Sequence, residues 1–281
     1  MRKIRIVSLI LCLCMLLSGC GELFSSQPDI DYNNTITMLN VGQAACTLIE
    51  SDGKFCLIDA GKYGGDTDIV SYLKERKVKK IDLFVISHFH YDHTSHALDV
   101  IRNMDIGTVL IPALSDENIP DSYFYKSLEQ DAENGYYNLV YAKDGLEFET
   151  GGSTVRVIGD TYNSENINNT STVVSFTLGD FVYLNTGDTE SDREAMLLGL
   201  LPENVGFLTA GHHGSQDSTS QRLLDRVTPA FVGISCGSDN DYGHPHKAML
   251  NRLENMDIPY AITYETGNIV YSIDTQTLIT E

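Results

Sequence analysis

Three imidazoles and a carboxylate crowd one short stretch, Ser87-His88-Phe89-His90-Tyr91-Asp92-His93, and His96 follows one helical turn later. In an extended segment alternate side chains point to one side. His88, His90 and Asp92 are therefore expected to converge, while His93 faces a neighbouring direction. Imidazole nitrogen and carboxylate oxygen suit zinc, manganese or iron, and no cysteine lies nearby to close a structural zinc site. A solvated His-rich loop would account for the composition but not for the spacing.

Further along the chain, more polar groups stand where apolar runs end. Asp188, in Thr186-Gly187-Asp188, is placed to bridge two metals and leave a hydroxide between them as nucleophile. In Gly211-His212-His213-Gly214-Ser215 the adjacent imidazoles must diverge. One is then a ligand of a second metal and the other a proton donor or substrate contact. His212 is assigned as the ligand and His213 to catalysis, with the choice between them open. The flanking glycines permit close backbone approach. In Tyr242-Gly243-His244-Pro245-His246 the proline holds its predecessor extended, so His244 projects toward a cleft as a catalytic group. His246 reads equally well as a helix cap. Asp59, at a strand end, is expected to orient a ligating imidazole, and His96 to lie outside the ligand set.

The elements that must position these groups can be read from the apolar patterning. Residues 35–41 alternate as a strand, and residues 44–50 and 54–59 form a hairpin turning at Asp52-Gly53. A two-residue turn there pairs Cys56 with Ile49 and puts Cys46 and Cys56 on opposite faces, which argues against a disulfide. Asp66 is expected to cap a helix reaching Lys77, with Ile69, Val70 and Leu73 inward. The strand 81–86 runs into the histidine loop, and one helix is expected from Ser95 to Met104. Residues 116–135, polar and aromatic, are expected to carry a helix over the site. Short strands follow at 108–111, 139–141, 146–150, 154–158, 172–178, 181–184, 205–208, 231–234, 260–263 and 269–273, with helices ending near Leu200, around Arg222 and before the last two strands. Two successive halves share one order, antiparallel strands and then strands alternating with helices. That order predicts an α/β fold of two packed sheets with helices outside.

With 281 residues the chain has ample length for such a core. Its N-terminus reads as a separate segment. Arg2, Lys3 and Arg5 precede an apolar stretch from Ile6 to Leu16, and Leu17-Ser18-Gly19-Cys20 resembles a lipobox. The expected organisation is a lipoprotein signal peptide over 1–19, a lipidated Cys20 and polar tether over 20–34, and the folded domain over 35–281. The protein is thus expected on the extracytoplasmic face of the cell membrane, held only by its lipid anchor. An ordinary cleaved signal peptide would also export it. Removing residues 1–19 takes away three positive charges and no negative one, so the net charge of −20 becomes −23. Such a surface repels nucleic-acid phosphates, and long-range attraction to a polyanion is not expected.

The His-x-His-x-Asp-His pattern at 88–93 resembles the signature of the metallo-β-lactamase-fold hydrolases. Asn40-Val41-Gly42-Gln43, Leu57-Ile58-Asp59-Ala60-Gly61, the histidine loop, Thr186-Gly187-Asp188, the His212-His213 motif and the 242–246 motif also occur in the order seen in the extracellular domain of ComEC-type competence proteins. The resemblance covers about 35–273. It implies an αββα sandwich and two divalent metal ions, with zinc foremost and manganese or iron as alternatives. His88, His90 and bridging Asp188 would hold one ion, and Asp92, His93, His212 and Asp188 the other. Asp92 is also counted among the catalytic residues. Many members of the superfamily carry a further histidine where this chain has Asn168-Asn169-Thr170-Ser171, so Asn169 and Ser171 are expected to support the ligands without binding metal. Thr94-Ser95-His96 also departs from the usual apolar residue and two glycines.

Two metals suit phosphodiester cleavage, because attacking and leaving oxygens can both be stabilised. The expected activity is an exported, nuclease-like phosphodiesterase. A small phosphodiester fits the acidic charge better than DNA does. Phosphorylcholine esters, as in related esterases, are the alternative, together with other small esters at the cell surface. A non-catalytic metal-binding lipoprotein is a third reading, supported by the missing histidine.

Overall fold

The computed structural model describes residues 32–120 and 122–279. The expected signal peptide, Cys20 and the tether as far as Asp31 lie outside the described residues. The first sheet begins with β1 (Thr35–Met38), β2 (Thr47–Ser51) and β3 (Lys54–Ile58). Asp52 and Gly53 both have positive φ, as the tight turn joining β2 to β3 requires. The register pairs Ile49 with Cys56, as expected. Cys46 and Cys56 accordingly join different cores, and the thiols of Cys46, Cys56 and Cys236 are buried and free.

After α1 (Ile69–Glu75) the chain alternates: β4 (Lys80–Val85), α2 (Tyr91–Thr94), α3 (Ala97–Asn103), β5 (Asp105–Ile111), α4 (Tyr123–Glu133) and β6 (Asn138–Tyr141). Three expectations need correcting here. Asp68, not Asp66, caps α1, accepting from the Ser71 amide at 2.7 Å, while Asp66 accepts from Asn40. The helix expected from Ser95 begins at Ala97, and a separate short helix, α2, precedes it within the histidine loop; between them the Ser95 and His96 amides donate to the Gly61 and Ala60 carbonyls behind β3. Those two bonds tie the histidine loop to the end of β3. Finally, α4 does not cover the cleft. Phe124 and Tyr125 pack on Phe89, at 6.1 and 5.3 Å between ring centroids, and Tyr125 and Leu128 join the outer core.

The second half supplies β7 (Glu147–Thr150), β8 (Ser153–Val157), β9 (Val174–Leu178), β10 (Phe181–Asn185), α5 (Ser191–Leu197), β11 (Phe207–Thr209), α6 (Gln221–Val227), β12 (Val232–Ile234), α7 (Lys247–Asn255), β13 (Tyr260–Ile262) and α8 (Thr263–Thr266). The chain then returns to the first sheet with β14 (Ile269–Ser272) and an edge strand, β15 (Thr277–Ile279). Two residues of β15 are exposed, so no apolar alternation announces it.

Among the described residues the sheets run β15-β14-β1-β2-β3-β4-β5-β6 and β13-β12-β11-β10-β9-β8-β7. Both are mixed, with parallel pairing from β3 to β6 and from β10 to β13. Alternation along the strands sorts the apolar side chains into three layers. Leu83 and Val85 face Val155, Phe176 and Phe207 between the sheets, while Phe84 turns to α1, α3 and α4. Leu208, Val232 and Ile234 pack under α5, α6 and α7. This is the αββα sandwich expected. No helix of the described residues is long and apolar enough to cross a membrane.

Gly233 shows how tightly the sheets meet. A Cβ there would lie 2.5 Å from Met38 Sδ of the first sheet and 2.6 Å from the Phe207 ring of its own. Gly233→Ala is expected to destabilise the domain by about 1–3 kcal/mol through overpacking. Urea unfolding reads this, and an unchanged midpoint would contradict the packing described.

Candidate metal centre

The candidate ligands gather at the carboxyl ends of parallel strands, where open α/β sheets place their crevices. Asp59 follows β3, Ser87 and His88 follow β4, Asp188 follows β10, and His212 and His213 follow β11. Local chemistry aims each one. Asn185 Oδ1 accepts from the Gly187 amide at 2.8 Å and turns the chain so that Asp188 points inward. Gly187 is required at this turn: its φ is +56°, and a Cβ would meet Ser171 Oγ at 2.7 Å. Ser171 Oγ in turn accepts from the Asp188 amide at 3.0 Å. Asn169 braces the next residues, accepting from the Glu190 amide and donating to Asp192. Buried Glu194 accepts from the Thr219 and Ser220 amides, and Arg252 donates to the Ser218 and Thr219 carbonyls, so the loop after His213 is held from both sides.

Two groups of donors have atoms within 4.8 Å of one another: His88, His90 and Asp188, and Asp92, His93 and His213. Asp188 Oδ2 also lies 3.3 Å from His93 Nε2 and 3.7 Å from His213 Nε2, so its carboxylate stands between the groups. The second group corrects the sequence reading, which placed His212 there. Both residues of the pair adopt left-handed backbone, with φ of 49° and 55°. His213 is thereby turned inward, where the Ser235 carbonyl accepts from its Nδ1 at 2.9 Å and its Nε2 faces Asp92 Oδ2 at 3.2 Å. His212 is left at the cleft wall, one quarter exposed, with Nε2 3.9 Å from Asp188 and Nδ1 near Asn168. The glycines beside the pair serve protein packing: a Cβ on Gly214 would lie 2.7 Å from Pro245. Asp92 and His93 sit on the single turn of α2, not on extended chain, which is why Asp92 joins His93 and not His90.

For neutral rings, the hydrogen bonds assign the nitrogen that carries the proton. Asp59 Oδ2 accepts from Ser87 Oγ at 2.7 Å and from His93 Nδ1 at 2.7 Å, and Asp59 Oδ1 accepts from the Ser87 amide at 2.7 Å. Ser87 Oγ, its proton spent on Asp59, accepts from His88 Nδ1 at 3.1 Å. As neutral rings, His88, His93 and His213 therefore each direct an unprotonated Nε2 inward, that of His88 lying 3.0 Å from His90 Nδ1. His93 Nε2 is fully buried, has no hydrogen-bond partner, and faces a carboxylate oxygen. With the rings neutral, acceptor faces acceptor, so the place calls for a proton or a metal ion between them, and the convergence of imidazoles and carboxylates fits a divalent metal ion.

The electrostatics show the same demand for positive charge at this place, which a proton on a ring or a metal ion can meet. Burial drives His88 well below the ordinary imidazole range, aided by the neighbouring His93, and burial lowers His90 as well. Burial works against the charged forms of His93 and His213 too, but Asp188 with Asp59, and Asp188 with Asp92, outweigh it and raise both. Asp188 is held well below the usual carboxylate range, because His93 and His213 overcome its burial. Asp92 is lowered likewise by its bond to His213.

His244 lines the open side of the site with Gln43, Tyr91, Asn168, His212 and Tyr242, around a cavity of about 310 Å³. The sequence reading placed His244 there. His246 does not reach the site and makes no side-chain cap: its Nδ1 accepts from the Gln216 amide and its Nε2 donates to the Tyr242 carbonyl. His96 also lies outside both groups, packed edge-on to Tyr63. Three contributors had no assignment in the sequence: Ser87, Ser235 and Gln43. Ser87 carries a signal, a hydroxyl directly before the first histidine at a strand end. Ser235 acts through its carbonyl and has none.

A family model for the Metallo-beta-lactamase superfamily matches residues 39–230, and the chain belongs to that superfamily. It is similar to ComE operon protein 3 of Bacillus subtilis, with 25% identity over 209 residues, 74% of this chain and 26% of that protein. It is also similar to Competence protein ComA of Neisseria gonorrhoeae, with 27% identity over 241 residues, 85% of this chain and 32% of that protein. Both are ComEC-like competence proteins, as the motif order implied, and the chain spans 26% and 32% of their lengths. The metallo-beta-lactamase fold protein YhfI from Bacillus subtilis shares the fold, with a TM-score of 0.58 and 13% identity over 85% of this chain and 99% of that one.

Asp59 is the first residue to test. Asn in its place would present an N–H to His93 Nδ1 and move the ring proton to Nε2, where it blocks ligation. Asp59→Asn is expected to weaken zinc binding by about 10–100-fold with the fold intact. Competition against a chromophoric chelator measures this, and unchanged affinity would contradict the assigned tautomer.

Proposed function

We propose that the chain is a metal-dependent hydrolase that holds two divalent ions and cleaves small phosphodiesters. The observation that carries the reading is the placement of the Asp188 carboxylate between two donor groups at the floor of an open cleft. His88, His90 and Asp188 would hold one ion, with His212 the nearest further imidazole. Asp92, His93, His213 and Asp188 would hold the other. Such ions supply Lewis acidity toward a phosphoryl oxygen and activate water at neutral pH.

The chain's own groups determine what else the site can do. No Lys or Arg is among the described residues lining the cleft, whose walls are imidazoles, tyrosines and the amides of Gln43 and Asn168. A substrate phosphate must therefore find its counter-charge in the cations that these groups would hold. A single diester needs little more, whereas a polyanion needs a track of cations that the net charge of −20 denies it. Exposed Tyr91 and Tyr242 offer flat apolar faces at the mouth for the substituent of the diester. The competence proteins similar to this chain keep a nucleic-acid substrate as the second reading. Lipidation at Cys20 would place the domain on the extracytoplasmic face of the membrane.

Asp188→Ala is expected to lower metal content sharply and reduce hydrolysis of bis-p-nitrophenyl phosphate by at least about 100-fold. Full metal content without diester turnover in the parent protein would contradict the phosphodiesterase reading, and faster turnover of linear DNA than of small diesters would favour a nuclease. Cys20→Ser is expected to move the protein from the membrane fraction to the soluble one. Unchanged fractionation would rule out the lipid anchor.

A further inference from the structure

The motif Asn40-Val41-Gly42-Gln43 is left without a task by the metal donors, yet Gln43 is buried and reaches the cleft. Its side-chain amide touches two groups. Oε1 accepts from the Gly237 amide at 3.2 Å, and Nε2 lies 3.1 Å from His244 Nδ1. A backbone N–H can only donate, so it fixes which end of the Gln43 amide faces it; the reverse orientation would set N–H against N–H. Nε2 can only donate as well, so His244 Nδ1 must accept. The proton of the neutral ring then sits on Nε2, which has no partner among the described residues.

The residue's backbone and ring are held as well. Asn240 Oδ1 accepts from the His244 amide at 2.9 Å, and Asn240 Nδ2 donates to the His244 and Gly237 carbonyls at 2.7 and 2.8 Å. Tyr242 stacks on the imidazole at 23°, 5.6 Å between centroids, and His212 meets it edge-on at 5.4 Å. One segment after β12 serves both functional rings: the Ser235 carbonyl fixes His213, and the Gly237 amide fixes Gln43.

We propose that Gln43 is a positioning residue that holds His244 as its Nε2–H tautomer, making it a fixed hydrogen-bond donor to the oxygen that gains charge as the diester is cleaved. The donor role rests on the phosphodiesterase reading; the tautomer does not. No proton is transferred, so the ring stays neutral through the reaction. An aligned donor of this kind acts where charge develops and needs no reorganisation.

The test is long-range ¹H–¹⁵N NMR of the full-length, zinc-loaded chain labelled at histidine, with the His244 signals assigned by their loss in His244→Gln. In the parent protein Nδ1 is expected unprotonated and Nε2 protonated. Gln43→Glu keeps the shape but replaces the donor with an acceptor, so the proton is expected to move to Nδ1. With bis-p-nitrophenyl phosphate, kcat is expected to fall about 100-fold while KM changes by less than about twofold. A protonated Nδ1 in the parent protein would overturn the proposal without any variant having to fold. A switched tautomer with unchanged kcat would overturn the donor role. If the parent protein cleaves no diester, the functional reading fails, and the spectrum still decides the tautomer.

Discussion

The centre of this structure depends on a single carboxylate that is not itself among the donors. Asp59 accepts three hydrogen bonds, from the Ser87 amide, the Ser87 hydroxyl and His93, each at 2.7 Å. Those bonds take up the protons that would otherwise block the site. Ser87, having given its own, takes one from His88, so two imidazoles on different elements turn bare nitrogens to one place. Asp59 holds a left-handed φ of +60°. Such a conformation is costly for a non-glycine residue and persists where its surroundings enforce it. Here the enforcing contacts are the side chain's own hydrogen bonds, two to Ser87 at the end of the neighbouring strand and one to His93 on α2.

The rest of the fold brings a second set of strand ends to the same place. The first sheet supplies Asp59, His88, His90, Asp92 and His93; the second supplies Asp188, His212, His213 and the Ser235 carbonyl. Neither sheet holds both groups alone. The core between them, with Phe176, Tyr183 and Phe207 packed on Ile36, Met38 and Val85, therefore sets the spacing of the donors as well as the stability of the domain. Rigid strand ends suit a site whose bare nitrogens and carboxylates repel one another until a cation joins them.

Much of this could be read from the residues. The spacing within 88–93 identified the first donors, and the apolar alternation with its turn residues gave the two halves, the hairpin register and the separation of the thiols. What the sequence hid was backbone conformation. Nothing in Gly211-His212-His213-Gly214 announces two consecutive left-handed residues, and that geometry turns His213 inward in place of His212. Likewise, Asp92 looked extended because the loop was read as a continuation of β4, whereas His90 opens a helical turn. Ser235 works through a carbonyl that every residue possesses, so its type carried no information. The helix at 123–133 was legible as a helix, but its place depended on Phe89 turning away from the donors to receive it.

The central claim is that these bare nitrogens and carboxylates exist to hold cations in two adjacent positions. Anomalous diffraction at the zinc edge, from crystals of the zinc-loaded protein, tests it most directly. The expected result is two peaks, one among His88, His90 and Asp188 and the other among Asp92, His93 and His213, with Asp188 between them. A single peak, or zinc bound only elsewhere on the acidic surface, would contradict the account.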